Sequence, residues 1–147
     1  MLTVPRLILK RIVSMTGDEK FQYWLDIANQ HYAALDILQK NKHYLLLMFS
    51  CQQTIELLCK GLFEFYNGAT PPYTHNLLTV FDGFSEKLKE ELPQKYVTFF
   101  EILTKFYIDG RYPSFKRKLA TGLTEEYTVD ILKKTMEAYE WLLTLKP

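Results

Sequence analysis

The sequence predicts an all-α protein, built as an up-and-down bundle of four to five antiparallel helices. Three observations indicate this fold class. Apolar residues recur at steps of three and four from residue 16 onward, which is the period of an amphipathic helix. No segment of convincing length shows the alternation of a half-buried β-strand. The loops between the predicted helices are short, and short loops favour antiparallel neighbours.

The first helix is predicted to run from residue 16 to about Lys40, followed by a turn over residues 41–43. Thr16 stands three residues before Glu19, which is the spacing of a capping box. His31 falls on the apolar side and is interpreted as a core or interface histidine. The apolar residues that share one face are Phe21, Trp24, Ala28, Tyr32, Leu35 and Leu38.

The second helix is predicted from about Tyr44 to Tyr66 and is ended by Asn67 and Gly68. It is the most apolar segment of the chain. Its polar residues fall within about a third of the helical circumference, and such a narrow polar face predicts a central core helix. These polar residues are Gln52, Gln53, Glu56, Lys60 and Glu64.

A third helix is predicted from about Leu77 to Leu92, with a break near Gly83 and a restart at Ser85. The segment before it, residues 67–76, contains two consecutive prolines and cannot be helical throughout.

Pro93 opens a fourth predicted helix, which ends at residues 109–110 and is followed by a polar loop. Its shared face contains Tyr96, Phe99, Phe100, Leu103, Phe106 and Tyr107. Thr124 caps the last helix, and two acidic residues follow in the first turn, where the helix dipole favours them. The predicted apolar stripe of this helix is Val129, Leu132, Met136, Tyr139 and Leu143.

Length and composition fit one helical domain over residues 16–147, preceded by a short arm of residues 1–15. The arm is interpreted either as a tail packed on its own domain or as a partner-docking arm. The chain has 18 Lys plus Arg and 17 Asp plus Glu, a net charge of +1. This balance gives no global reason to expect tight binding to a polyanion.

Cys51 and Cys59 lie eight residues apart on one predicted helix, a rise of about 12 Å, which is too far for a disulfide. They are predicted to be free, buried thiols of a cytoplasmic protein. No apolar run approaches the ~18–20 residues that span a bilayer, so no membrane partner is expected. The chain lacks Cys/His clusters, glycine-rich phosphate loops and known catalytic motifs, so no metal, cofactor or catalytic residue is assigned.

The first candidate site is a polar stripe on the second helix, formed by Gln52, Gln53, Glu56 and Lys60. Glu56 precedes Lys60 by four residues, the favourable orientation for an ion pair. The stripe is interpreted either as a solvated or inter-helix polar seam or as a ligand-facing or dimer-facing surface. In the second interpretation Lys60 meets a phosphate or a partner carboxylate.

The second candidate surrounds His75 at the predicted start of the third helix. Thr74 or Asn76 has the residue type of an N-cap. His75 is interpreted either as a structural residue or as part of a phosphate site, because a helix N-terminus attracts anions.

The third candidate is Arg111 and Tyr112, which precede Pro113 within a basic stretch. Residues 105–118 contain five basic residues and one acid, Asp109. Arg111 is suited to bidentate binding of phosphate or carboxylate, and Tyr112 to stacking on a base. In the alternative interpretation, Arg111 pairs with a core carboxylate while the lysines keep the loop soluble.

Taken in order, these motifs resemble the HEPN family (higher eukaryote and prokaryote nucleotide-binding domains) over about residues 20–143. The motifs are Tyr23-Trp24-Leu25, then Gln52-Gln53 with Glu56 and Lys60, then Thr74-His75 with Leu77, then Arg111-Tyr112-Pro113. The resemblance implies a small helical bundle that commonly dimerises. It also implies frequent pairing with a minimal nucleotidyltransferase, often as a toxin–antitoxin module.

Many members of that family are metal-independent ribonucleases, with an arginine followed after four to six residues by a histidine. This sequence lacks that motif, since none of His31, His43 and His75 follows an arginine at such spacing. Only Arg111, in an Arg-Tyr-Pro variant of the motif, matches the family pattern.

The sequence therefore favours a non-catalytic, dimeric module that binds a nucleotide or phosphate ligand, or pairs with a nucleotidyltransferase. The residues assigned to the ligand are Lys60, His75, Arg111 and Tyr112. Two alternatives stay open: a ribonuclease toxin with His75 as base and Arg111 or Lys116 on phosphate, and a purely structural interaction domain.

Overall fold

A computed structural model describes residues 5–6, 15–88, 91–107, 117–118 and 120–147. Within these residues there is no β-strand, and five helices form the bundle, which confirms the all-α prediction. The helices are α1 (Gly17–Lys40), α2 (Tyr44–Asn67), α3 (Leu77–Leu88), α4 (Gln94–Thr104) and α5 (Glu125–Thr144). Most of the predicted N-terminal arm lies outside the described residues.

Helix α2 is the centre of the bundle and contacts all four other helices. Its apolar side chains Leu47, Ile55, Leu58 and Leu62 are completely buried, as the narrow polar face predicts. Gly61 permits the close approach of α1, because a Cβ atom on this residue would lie 2.9 Å from the Cβ of Trp24.

Local signals set the start of α1, the end of α2 and the start of α5 where the sequence predicts them. The Thr16 hydroxyl accepts a hydrogen bond from the Glu19 amide, and the Glu19 carboxylate accepts one from the Thr16 amide. Gly68 ends α2 in the left-handed conformation, with φ of 61°. The Thr124 hydroxyl accepts from the Tyr127 amide and caps α5.

Helix α3 runs in the same direction as α2. The other consecutive helices of the described residues run in opposite directions. The side chain of Gln52 in the middle of α2 donates a hydrogen bond to the carbonyl of His75, just before α3. Tyr66, near the end of α2, stacks on Phe84 of α3. Residues 68–76 therefore double back along α2 before α3 begins. This return is what brings the start of α3 beside the middle of α2.

The predicted break in the third helix is wrong, since α3 is continuous through Gly83. Gly83 has a packing role: a Cβ atom there would lie 2.4 Å from the ring of Phe63. Helix α4 ends at Thr104 rather than at residues 109–110, and Lys105 and Phe106 form a turn. Phe106 nevertheless stays buried, so its apolar side chain contacts the core without helical backbone.

The buried face of α5 is shifted by one residue from the predicted stripe. Met136, placed in that stripe, is 43% exposed, and its other members are only half-buried. The residues that are buried are Thr128, Ile131, Thr135, Ala138 and Leu142. The hydroxyls of Thr128 and Thr135 donate to carbonyls of their own helix, which lets these two side chains enter the core.

Both cysteines are free and buried, as predicted. Burial raises the pKa of Cys51 to about 12 and raises that of Cys59 as well. His31 is half-buried with its ring edge-on to Phe49, and burial lowers its pKa. Among the helices with described residues, none combines the length and apolar character needed to cross a membrane.

Candidate functional site

The polar stripe of α2 is buried rather than solvated. Gln52 is completely buried, Glu56 is 2% exposed and Lys60 is 9% exposed, while Gln53 is half-buried. The spacing between residues 52, 56 and 60 is about one helical turn per step, so their side chains form a row along one face of α2. Burial excludes a stripe facing open water, whereas a polar seam between segments and a ligand-facing or dimer-facing surface both stay open.

His75 joins this row from the loop before α3. Its Nδ1 atom lies 2.8 Å from Oε1 of Glu56. The Gln52 amide nitrogen donates to the same carboxylate oxygen at 3.1 Å and to the backbone carbonyl of His75 at 3.2 Å. Gln53 donates in turn to the side-chain oxygen of Gln52 at 2.7 Å, which fixes the orientation of that amide. The stripe thus holds both the ring and the backbone of His75.

The second oxygen of Glu56 faces Lys60, with 3.4 Å between Oε2 and Nζ. The Glu56 side chain is 3% exposed, that of Lys60 is 11% exposed and that of His75 is 31% exposed. One nearly dry carboxylate is therefore shared by two basic side chains. With a neutral imidazole the three charges sum to zero, and with a protonated imidazole they sum to +1.

The geometry defines which nitrogen of His75 faces outward. An ionised carboxylate only accepts hydrogen bonds, so Nδ1 carries the proton in its contact with Glu56. The other ring nitrogen, Nε2, has no hydrogen-bond partner in the described part of the chain. Lys60 uses one of its three N–H donors, in a long contact with Glu56. We refer to Glu56, Lys60 and His75 as the ionic cluster.

Aromatic rings surround His75. Tyr107 stacks on the imidazole with ring centroids 3.4 Å apart and planes 10° from parallel. Tyr107 also lies against Phe49 of α2, at 5.9 Å. Tyr73 approaches His75 in a T-shaped arrangement at 5.9 Å, and this tyrosine is 97% exposed. The ionic cluster thus borders one half-buried ring, that of Tyr107, and one exposed ring, that of Tyr73.

The start of α3 does not offer the anion site that a helix N-terminus can provide. The Asn76 side chain accepts hydrogen bonds from the amides of Leu78 and Thr79. The Leu77 amide donates to the hydroxyl of Thr104. The amides of the first turn are therefore used within the protein, and any anion here would be bound by side chains.

The structure brings together Gln52, Gln53, Glu56, Lys60 and His75, the first two candidates from the sequence. Arg111 and Tyr112 lie outside the described residues. Tyr73 and the stacking role of Tyr107 were missed. Within the described residues no group of three or more His, Cys, Asp or Glu side chains is arranged to hold a metal ion.

This arrangement is chemically suited to anions and to proton transfer. Lys60 and a protonated His75 supply positive charge at a site with little water, where a charge-assisted hydrogen bond to phosphate is stronger than in solvent. A neutral His75, with Nδ1 held by a carboxylate, presents Nε2 as a base.

The HEPN domain family model matches residues 21–145. The chain belongs to the HEPN domain family. HEPN domains are helical modules of nucleotide-binding or ribonuclease type, and they often dimerise. Comparison with curated proteins and with solved structures finds no match to this HEPN chain.

Replacing Glu56 by Gln should lower the free energy of unfolding by about 1–3 kcal/mol, because it leaves the Lys60 ammonium buried without its counter-charge. This loss of stability is smaller than the loss expected when one partner of a fully buried ion pair is removed, since Lys60 and His75 retain some contact with water. Urea unfolding followed by circular dichroism measures the change.

The matched control is Asp130→Asn, which removes the carboxylate of another i, i+4 pair with Lys134. Those side chains are 57% and 50% exposed, so the expected loss is under about 0.5 kcal/mol. Equal losses in the two variants would show that burial of Glu56 adds nothing to its interactions.

Proposed function

We propose that this HEPN domain is a non-catalytic, dimeric module of the cytoplasm that binds a nucleotide or another phosphate-bearing ligand. The ligand is held by Lys60, His75, Arg111 and Tyr112. The observation that carries the proposal is the ionic cluster, in which two basic side chains flank one buried carboxylate. Within the described residues, Nε2 of His75 and two N–H groups of Lys60 have no partner in the protein.

The energetics of buried charge support a binding role. Taking Lys60 out of water is costly, and a buried ion pair is only weak evidence for stability. Its contact with Glu56 is long, at 3.4 Å, so the described residues satisfy the ammonium incompletely. A ligand phosphate beside Lys60 would supply the missing acceptor.

Arg111 is included because it is close in sequence to a residue that contacts the cluster. It follows Tyr107, which stacks on His75, by four residues. A chain of four residues spans at most about 14 Å, whatever its path. The proposal therefore assigns Arg111 to the same ligand, because a guanidinium suits a phosphate through paired hydrogen bonds.

Nucleotides should raise the melting temperature of the purified protein. At a nucleotide concentration of 100 times Kd the added stability is about 2.7 kcal/mol, which corresponds to a shift of several degrees. Arg111→Ala and His75→Ala should abolish the shift without unfolding the protein. Differential scanning fluorimetry with ATP, GTP and their monophosphates measures it.

Arg117→Ala provides the control, because Arg117 is exposed and belongs to the same basic stretch. This variant should keep the nucleotide-dependent shift. If none of the nucleotides shifts the wild-type protein, the ligand-binding half of the proposal is wrong.

We propose further that the module is a homodimer and pairs with a minimal nucleotidyltransferase in a toxin–antitoxin-type system. The support is membership in a family whose domains often dimerise, together with the motif order from Gln52 to Arg111. Light scattering coupled to size exclusion should give twice the mass of one 17.4 kDa chain. A clean monomer at micromolar concentration would contradict the dimer.

A second function, RNA cleavage with His75 as the base, is favoured by one observation. The 2.8 Å contact between His75 and Glu56 is the arrangement that holds an imidazole ready to accept a proton at Nε2. Labelled RNA incubated with the protein should then be cleaved, and His75→Ala should lose at least 100-fold in rate, roughly the lower bound for a general base. Cleavage that survives this substitution would exclude His75 as the base.

A further inference from the structure

We infer that Tyr73 is the nucleobase-stacking residue of this site and gives it a preference for nucleotides over other phosphates. The inference rests on the proposed binding function and deepens it. The ligand chemistry is a base separated by one sugar from a phosphate, either in a free nucleotide or within RNA.

The first argument is the exposure of Tyr73. Its 97% exposure compares with 57% for Tyr23 and 37% for Tyr127, the other exposed tyrosines of the described residues. A tyrosine ring usually buries much of its area against its own protein. The ring of Tyr73 contributes almost nothing to the core, so both of its faces are available to a ligand.

The second argument is that the backbone beneath this ring is restrained. Pro71 and Pro72 precede it and fix two successive φ angles. The Thr74 amide donates to the Pro72 carbonyl at 2.9 Å, which closes a tight turn around Tyr73. On the other side, His75 is held by α2 through its ring and its carbonyl. A restrained platform loses less conformational entropy when a base stacks on it.

The third argument is position. The Tyr73 ring lies 5.9 Å from the imidazole of His75, so an aromatic surface and a phosphate-binding cluster are neighbours. Tyr107 covers one face of His75 at 3.4 Å, which removes that face of the imidazole as a stacking surface. Among the described residues, Tyr73 is therefore the exposed ring beside the ionic cluster. A phosphate at the cluster would place its base within reach of Tyr73.

The test compares ligands with and without a base. Isothermal titration calorimetry would measure the binding of AMP, ribose 5-phosphate and a short oligoadenylate to the full chain. Wild-type protein should bind AMP or the oligoadenylate more tightly than ribose 5-phosphate. Tyr73→Ala should weaken the base-containing ligands about five- to hundredfold, the range for loss of one stacking contact, and leave ribose 5-phosphate unchanged.

Two variants complete the experiment. Tyr73→Phe keeps the ring and should bind like the wild type, whereas Tyr127→Ala removes an exposed tyrosine of α5 and should change nothing. A preference for AMP identifies a free nucleotide as the ligand, and a preference for the oligoadenylate identifies RNA. Both results support the inference if they depend on Tyr73.

The inference is overturned if Tyr73→Ala weakens all three ligands equally, or if the preference for a base persists in this variant. Loss of the preference in Tyr112→Ala alone would also overturn it and assign stacking to that residue. If no ligand binds, the proposed function itself fails. Binding of all three ligands with no preference leaves that function intact and removes only the role of Tyr73.

Discussion

The arrangement of this domain's polar groups depends on the carboxylate of Glu56. An ionised carboxylate with 3% exposure would be strongly unfavourable alone, so it needs compensating partners. Lys60 is supplied by the helix itself, one turn away, whereas His75 arrives only because the chain doubles back after α2. Glu56 therefore links an interaction within one helix to a contact between two segments. Gln52 supports the same link, since its amide bonds both Glu56 and the backbone of His75.

Features set by neighbours in sequence could be predicted, and features set by tertiary packing could not. The caps at Thr16 and Thr124 involve residues three apart, so the pattern alone shows them. The buried threonines of α5 were missed because a hydroxyl counts as polar until its acceptor is known. Thr135 donates to the carbonyl of Ile131, which satisfies its hydroxyl within the core.

Glycine provides the clearest example of this limit. A glycine inside a helical pattern lowers helix propensity, and on that basis Gly83 predicts a break. Its actual role is to leave room for Phe63, twenty residues earlier in the chain.

The candidate site shows the same difference between local spacing and tertiary packing. The i, i+4 spacing predicts that Glu56 contacts Lys60, but no spacing indicates that residue 75 returns to residue 56, because the loop over residues 68–76 permits many positions for the start of α3.

The ionic cluster also bears on the choice between binding and catalysis. A phosphate group between Lys60 and His75 would be held most strongly by a protonated imidazole, since only that form gives the cluster a net positive charge. A protonated imidazole has no lone pair at Nε2 and cannot act as a base. RNA cleavage would therefore need a second group to remove the proton. Neither His31 on α1 nor His43 at the start of α2 contacts the cluster. Strong phosphate binding and a general-base role thus require different protonation states of the same imidazole.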